Sequence, residues 1–214
     1  MNFGRIFSYA LLAVALTACA STAPRYYTLL PASTPESVGA NTQQAAGTKF
    51  AISVQPVVLP EQVDRLQIVL SDPQSTQVSL LNSSLWASPL SDEIRNALSD
   101  ELSRKLGVLD IATGSVPESL AMWKVALHVQ RFESVYNERV LVDATWRLTP
   151  VNQPAKKATI CRAETQVLVG EGVSAMVAGH QEALRRIAQV IAAQLSGSPG
   201  KAAVDGVLNK GCTF

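Results

Sequence analysis

The sequence predicts an α+β fold, a single domain with a mixed, mostly antiparallel sheet and two main amphipathic helices packed on one of its faces. Three segments between residues 123 and 169 alternate apolar and polar side chains, which is typical of neighbouring strands with one buried face. Two other segments, 89–106 and 174–195, repeat apolar residues every three or four positions, which is the period of a helix.

The first half of the chain contains four candidate strands. Residues 24–31 form a short aromatic and apolar stretch bounded by prolines, and the alternation at 50–58 predicts a second strand. Residues 66–71 and 76–81 flank the turn sequence DPQS and predict a hairpin. We interpret residues 32–48, which carry one charge and almost no bulky apolar side chain, as a flexible loop.

The first predicted helix, at 89–106, has its own start and stop signals. Ser88 is the candidate N-cap, and Asp92 and Glu93 suit the positive end of the helix dipole. Gly107 follows as the stop signal. The apolar stripe of this helix has a spacing of four residues and consists of Leu90, Ile94, Leu98, Leu102 and Leu106.

The second half predicts a meander followed by the last helix. Its strands are expected at 123–132, 139–148 and 159–169, with the helix at 174–195 ending at the sequence SGSPG. In the middle strand the residues expected to face inward are Val140, Val142, Ala144, Trp146 and Leu148. We assign residues 26–196 to the domain and 197–214 to a glycine-rich C-terminal tail whose path the pattern does not predict.

The chain begins with a secretory signal that ends at a cysteine. Its apolar run, 6–16, follows Arg5 and would span roughly 16 Å as a helix, about half of a bilayer core. The sequence LTAC at 16–19 resembles the bacterial lipobox, in which cleavage exposes a cysteine that carries S-diacylglyceryl and N-acyl groups. We therefore predict that residues 1–18 are a signal peptide and that Cys19 is lipidated.

Lipidation determines the predicted localisation. One acyl chain binds a membrane only marginally, whereas three make a permanent anchor. Ala20, where an aspartate would retain a sorted lipoprotein at the inner membrane, favours the outer membrane by resemblance to sorted lipoproteins. Residues 19–25 would then be a short tether that holds a periplasmic domain near that membrane.

Composition excludes several classes of function. Because Arg5 is the one charged residue of the signal, the mature chain has 17 basic and 17 acidic side chains. This balance gives no electrostatic case for a nucleic-acid partner. No P-loop, G-x-S-x-G or H-E-x-x-H motif occurs. We predict no enzymatic activity, no catalytic residues, no metal and no cofactor apart from the covalent lipid.

Several residues keep two interpretations. GEGVSA at 170–175 has the outline of a dinucleotide fingerprint but lacks the following parallel strand, so a glycine-rich strand exit is the simpler interpretation. His128 falls on a polar strand face, and His180 has no evident partner. Trp86 either packs into the core or stands at the surface as a contact for a partner protein.

The two remaining cysteines also leave two alternatives open. In an oxidising periplasm, Cys161 and Cys212 form a disulfide, or they remain a buried thiol and a loose thiol in the tail. Zinc binding requires more ligands than these cysteines and two scattered histidines supply.

Taken together, the segments resemble the ABC-type transport auxiliary lipoproteins of the paraquat-inducible protein C type. The resemblance covers most of the mature chain up to about residue 195 and consists of ordered pieces rather than one diagnostic motif. Those pieces are the lipobox, YYTL at 26–29, ISVQPVVLPEQVDRLQIVL at 52–70, LWASPLSDEIRNALSDELSRKLG at 85–107, VQRFE at 129–133 and ATWRL at 144–148.

This resemblance implies a role rather than a reaction. Members accompany an ABC permease and ATPase and a membrane-anchored MCE (mammalian cell entry) protein, in systems for intermembrane lipid transport and envelope integrity. The chain would act as the docking piece at the outer membrane, with the loops at 60–65 and 82–88 as candidate contact surfaces. Homo-oligomerisation is left open. The alternative is a lipid-carrying module that encloses an acyl chain in its own apolar cavity.

Overall fold

The structure, a computed structural model, describes residues 23–31, 50–111, 119–197 and 203–213, which contain eight strands and two helices. The strands are β1 (Arg25–Tyr27), β2 (Phe50–Val54), β3 (Gln67–Ser71), β4 (Val78–Trp86), β5 (Ala121–Val135), β6 (Arg139–Val151), β7 (Thr159–Leu168) and β8 (Val207–Thr213). The helices are α1 (Leu90–Leu106) and α2 (Gly172–Leu195).

The strands form two sheets. The larger sheet has the order β2-β5-β6-β7-β8, and the smaller one has the order β1-β4-β3. All strand pairs are antiparallel except β2–β5 and β1–β4, which are parallel. The predicted fold class, a single α+β domain with a mixed and mostly antiparallel sheet, is confirmed.

Both helices cover one face of the larger sheet. α2 packs against β6 and β7, and α1 packs against α2 and β2. Gly179 permits the close approach of α2, since a Cβ atom there would collide with Val169 and press on Val140. The core between helices and sheet contains the five inward residues expected in β6, all buried: Val140, Val142, Ala144, Trp146 and Leu148.

The start of α1 differs from the expectation. Its N-cap residue is Pro89, which makes no side-chain cap, and Ser88 instead donates its hydroxyl to the carboxylate of Glu93 at 2.8 Å. The same carboxylate accepts hydrogen bonds from the Thr28 hydroxyl and the Leu29 amide. Glu93 therefore ties the chain after β1 to the helix, so Ser88 is not the predicted cap. Gly107, with φ of 65°, ends the helix as expected.

Two further boundaries are corrected. β4 continues to Trp86, so most of the predicted loop at 82–88 is strand. The tail assigned to lie outside the domain supplies β8, which pairs with β7 and forms the edge of the larger sheet. The sequence of the glycine-rich tail has too little alternation to predict a strand. β8 forms because β7 provides main-chain groups with which it can pair.

Candidate functional site

The predicted lipidation site, Cys19, lies outside the described residues, as does the predicted loop at 32–48. Within the described part of the chain, neither helix is long and apolar enough to cross a membrane. β1 begins at Arg25, so only residues 20–24 separate Cys19 from the first strand.

Trp86 belongs to the core. Only 2% of its surface is exposed, and its ring makes edge contacts with Phe132 and His180 at centroid distances of 6.3 and 6.5 Å. Phe132 and His180 stack on each other at 3.9 Å. We call Trp86, Phe132, His180 and Ser134 the aromatic cluster. A side chain enclosed in this way cannot contact a partner protein, so the surface interpretation of Trp86 is wrong.

His180 has a partner that the sequence does not reveal. Its Nε2 lies 2.8 Å from the Ser134 hydroxyl, and complete burial lowers the pKa of the imidazole to about 3. A serine beside a neutral histidine resembles a nucleophile and its base. However, the adjoining cavity, which Ser134 and Trp86 line, has a volume of about 10 Å³, too small for a substrate. Nδ1 of His180 has no hydrogen-bond partner to orient the ring. The pair is therefore part of the packing.

The two cysteines predicted as a pair do form a disulfide. Cys161 in β7 faces Cys212 in β8, with an S–S distance of 1.99 Å. The Gln194 amide donates to both sulfurs, and its oxygen accepts a 2.8 Å hydrogen bond from Nε1 of Trp146. The structure thus excludes the alternative of two separate thiols. We call Gln194, Trp146 and the disulfide the amide–disulfide contact.

An open cleft of about 550 Å³ lies beside this contact. It is bounded by the last turn of α2, the neighbouring ends of β5, β6 and β7, and β8. Its lining consists of Trp123, Leu148, Lys156, Lys157, Thr159, Cys161, Gln194, Leu195, Gly197, Asn209 and Cys212. A mainly apolar cavity of this size is within the range of small-molecule sites.

Exposed apolar side chains mark the smaller sheet. Tyr26 is 63% exposed, and Val78 and Leu80 are 49% and 40% exposed. β1 pairs with β4 only at Ser84–Trp86, so residues 78–83 have no strand on that side within the described residues. β4 therefore offers an open, partly apolar edge.

The outer face of the larger sheet carries a charge network. Asp143 is 1% exposed beneath Arg162 and Lys210, each 2.8 Å from its carboxylate. The hydrogen bond from Arg162 is the main cause that holds the pKa of Asp143 below its usual value. Lys210 also pairs with Glu164, which in turn pairs with Arg131. Glu133 also pairs with Arg131, so three basic and three acidic side chains are matched and the network offers no unpaired charge to a ligand. In the described residues no group of three His, Cys, Asp or Glu side chains could hold a metal.

The fold and sequence define a family. The ABC-type transport auxiliary lipoprotein component family matches residues 27–192, and the chain belongs to it. No curated protein matches the chain.

Two solved structures share the fold. A crystal structure of an uncharacterized protein is 20% identical over 81% of this chain and 99% of its own, with a TM-score of 0.58. A protein from Xanthomonas campestris is 14% identical over 71% of this chain and 87% of its own, with a TM-score of 0.55.

Proposed function

We propose that the chain is the outer-membrane lipoprotein of an ABC transporter system that moves lipids between the two membranes and preserves envelope integrity. It would dock an MCE-domain protein that works with the permease and ATPase. Membership of the transport auxiliary family supports association with a transporter. The open edge of β4 carries the docking proposal.

That edge suits an extended segment of a partner. On one side of residues 78–83 no described strand pairs with the main chain, and a partner strand could add there by β-augmentation. The exposed side chains of Val78 and Leu80 would supply apolar contacts beside those hydrogen bonds. Natural proteins usually protect such an edge, so a bound partner would explain why this one is open.

The anchor would restrict where docking occurs. Residues 20–25 extend at most about 20 Å between Cys19 and Tyr26 at roughly 3.3 Å each, so the domain would remain close to the membrane surface. β1 follows this tether directly and is the neighbour of β4, so the smaller sheet would lie close to the anchor.

Introducing positive charges at the edge of β4 tests the docking proposal. The double variant Val78→Lys and Leu80→Lys should reduce co-purification of an MCE-domain protein, identified by mass spectrometry, about tenfold. The control is Leu168→Lys with Leu208→Lys, two exposed leucines of the larger sheet with the same change in charge. Capture that persists in the first variant, or falls equally in the control, would contradict docking at β4.

The anchor has a separate test. Cys19→Ser should prevent acylation and leave an uncleaved precursor of higher mass that no longer fractionates with the outer membrane. The control is Ser21→Ala, which leaves the cysteine in place. If the Cys19→Ser chain matured to the same mass and remained in the outer membrane, the lipid anchor would be refuted.

In this proposal the domain acts by binding, without catalysis. Among the described residues, Ser134 and His180 are the pair that resembles catalytic residues, and both are buried. Ser134→Ala should therefore preserve resistance of the envelope to detergent at a temperature where the variant is folded. Complete loss of resistance with normal folding and normal partner capture would instead indicate chemistry at this pair.

A further inference from the structure

The cleft beside the amide–disulfide contact has an apolar floor. Trp123 of β5, Leu148 of β6 and Leu195 of α2 line it, each with less than a tenth of its surface exposed. The Cys161–Cys212 disulfide completes this floor. Such side chains come from three different elements of a packed core, so the floor is pre-formed.

The polar side chain at the floor, Gln194, is already engaged in hydrogen bonds. Gln194 lines the cleft, but its oxygen already accepts from Trp146 and its nitrogen already donates to the two sulfurs. A peptide backbone buried here would leave amide groups unpaired, which is costly, whereas a hydrocarbon chain requires no hydrogen bonds. The chemistry of the floor therefore favours an acyl chain over a peptide.

The rim is positively charged. Lys156 and Lys157, both exposed, lie in the loop between β6 and β7 and line the cleft, and none of the described residues that line it is acidic. Neither lysine forms a salt bridge with another described residue. Two unpaired ammonium groups at the mouth of an apolar cleft complement a carboxylate or phosphate attached to an apolar chain.

We propose that this cleft binds one acyl chain of an anionic amphiphile, with the chain on the Trp123–Leu195 floor and the anionic head at Lys156 and Lys157. A free fatty acid and an anionic phospholipid share this chemistry. None of the lining residues belongs to β1, β3 or β4, so the site is separate from the docking edge and neither proposal depends on the other.

Fluorescence quenching can detect a chain on this floor. The chain is used from Ala20 onward, since the hydrophobic core and the residues packed on it lie between Tyr27 and Cys212. The probe is 9,10-dibromostearate, because bromine quenches an indole only at close contact. It is used below its critical micelle concentration. Trp123 should be quenched in a saturable manner, whereas Trp86, in the aromatic cluster, should not.

Two variants and one control locate the binding. Trp123→Phe should abolish most of the quenching. Lys156→Glu with Lys157→Glu should raise the probe concentration at half-saturation about tenfold. The matched control, Lys124→Glu with Arg147→Glu, reverses two exposed cations elsewhere on the larger sheet and should leave half-saturation unchanged. All variants are first compared by thermal unfolding.

Further probes separate the sources of the ligand. The methyl ester of dibromostearate should bind about tenfold more weakly than the acid, because its head carries no charge. Competition by phosphatidylglycerol but not phosphatidylcholine would identify a phospholipid head, and competition by stearate alone would identify a fatty acid. Either result supports the proposal.

The proposal is overturned by any of three results. The first is the absence of saturable quenching, and the second is quenching that is undiminished in Trp123→Phe. The third is an affinity of the Lys156→Glu, Lys157→Glu variant for the probe equal to that of the wild type. A short apolar peptide with a free C-terminal carboxylate that shifts Trp123 emission, where no brominated lipid quenches, would assign the cleft to a peptide. None of these results alters partner capture at β4, so the failure of the two proposals can be distinguished.

Discussion

The two ends of α2 are built in opposite ways. Near its start, His180 is enclosed with Trp86 and Phe132, beside a cavity of only about 10 Å³. At its last turn, Gln194 and Leu195 border a cleft of about 550 Å³. The first end contacts the smaller sheet through Trp86 and His180, and the second contacts β8 through Gln194 and Cys212.

The contrast between the two ends indicates where water can replace a contact that a substitution removes. In the aromatic cluster a deleted group leaves a void or an unpaired atom, because the cavity has no room for solvent. Beside the cleft, solvent already reaches the neighbouring atoms. Equivalent substitutions should therefore be more costly at the first end than at the second.

Trp86→Ala should have the largest effect on stability. Removing a buried indole that contacts two other rings should lower the free energy of unfolding by about 3–5 kcal/mol. Urea denaturation measures the loss, with Trp123→Ala as the comparison at the open end. A smaller loss for Trp86→Ala than for Trp123→Ala would contradict the contrast between the two ends.

Removal of the disulfide should have the next largest effect. The bond closes a loop with a sequence separation of 51, and loop entropy gives about 4 kcal/mol as an upper value, often less in practice. Cys161→Ala with Cys212→Ala should therefore release β8 and lower the thermal midpoint. The control is thiol labelling of the denatured, unreduced mature wild type, which should show no free thiol. Two labelled thiols would show that the bond does not form.

The buried histidine should make the protein less stable in mild acid. Burial lowers the pKa of His180 from 6.5 to about 3, so the unfolded chain takes up a proton that the folded chain excludes. The free energy of unfolding therefore has its full value above pH 6.5 and decreases as pH falls towards 3. The loss between pH 7 and pH 5 is about 2 kcal/mol. Chemical denaturation at these two pH values measures the loss.

Variants of the two histidines can show whether His180 causes this loss of stability in acid. Asp143 and Glu182 have pKa values lowered chiefly by hydrogen bonds from Arg162 and Arg185, so their contributions are lost only below pH 4.5. His180→Gln should remove the dependence between pH 7 and pH 5, whereas His128→Gln, at an exposed position, should retain it. An unchanged slope in His180→Gln would contradict the assignment.

Gln194→Ala should have the smallest effect. It leaves Nε1 of Trp146 without its partner, which in a sealed core would cost about 1–3 kcal/mol. The adjacent cleft admits water that can accept this hydrogen bond, so we expect a loss near about 1 kcal/mol. Thermal unfolding measures it, and Gln189→Ala, on the same helix, is the control. A loss as large as that of Trp86→Ala would mean that the second end is sealed as well.

Most contacts of the candidate site could not be predicted from the sequence, because they join residues that are far apart along the chain. The pair Ser134–His180 and the contact of Trp146 with Gln194 join residues 46 and 48 positions apart. No local pattern records such a distance, since each partner sits within an ordinary strand or helix. The cleft is equally invisible, because its volume depends on how the ends of four strands and one helix are arranged.

The elements with strong periodicity can be predicted from the sequence alone. The spacing of Leu90, Ile94 and Leu98 specifies a helix, and the alternation from Val140 to Leu148 specifies a strand with one buried face, because local geometry repeats with the same period. The order of such segments along the chain also indicated the family to which the chain belongs.

How those elements pair and pack depends on contacts between distant parts of the chain. β1 and β2 pair in parallel with strands that lie far along the chain, and β8 becomes a strand by pairing with β7. The same contacts bury Trp86 and leave residues 78–83 of β4 with no described strand on one side. Strand pairing depends on hydrogen bonds and packing between distant residues, and a one-dimensional pattern contains neither the partner nor the register.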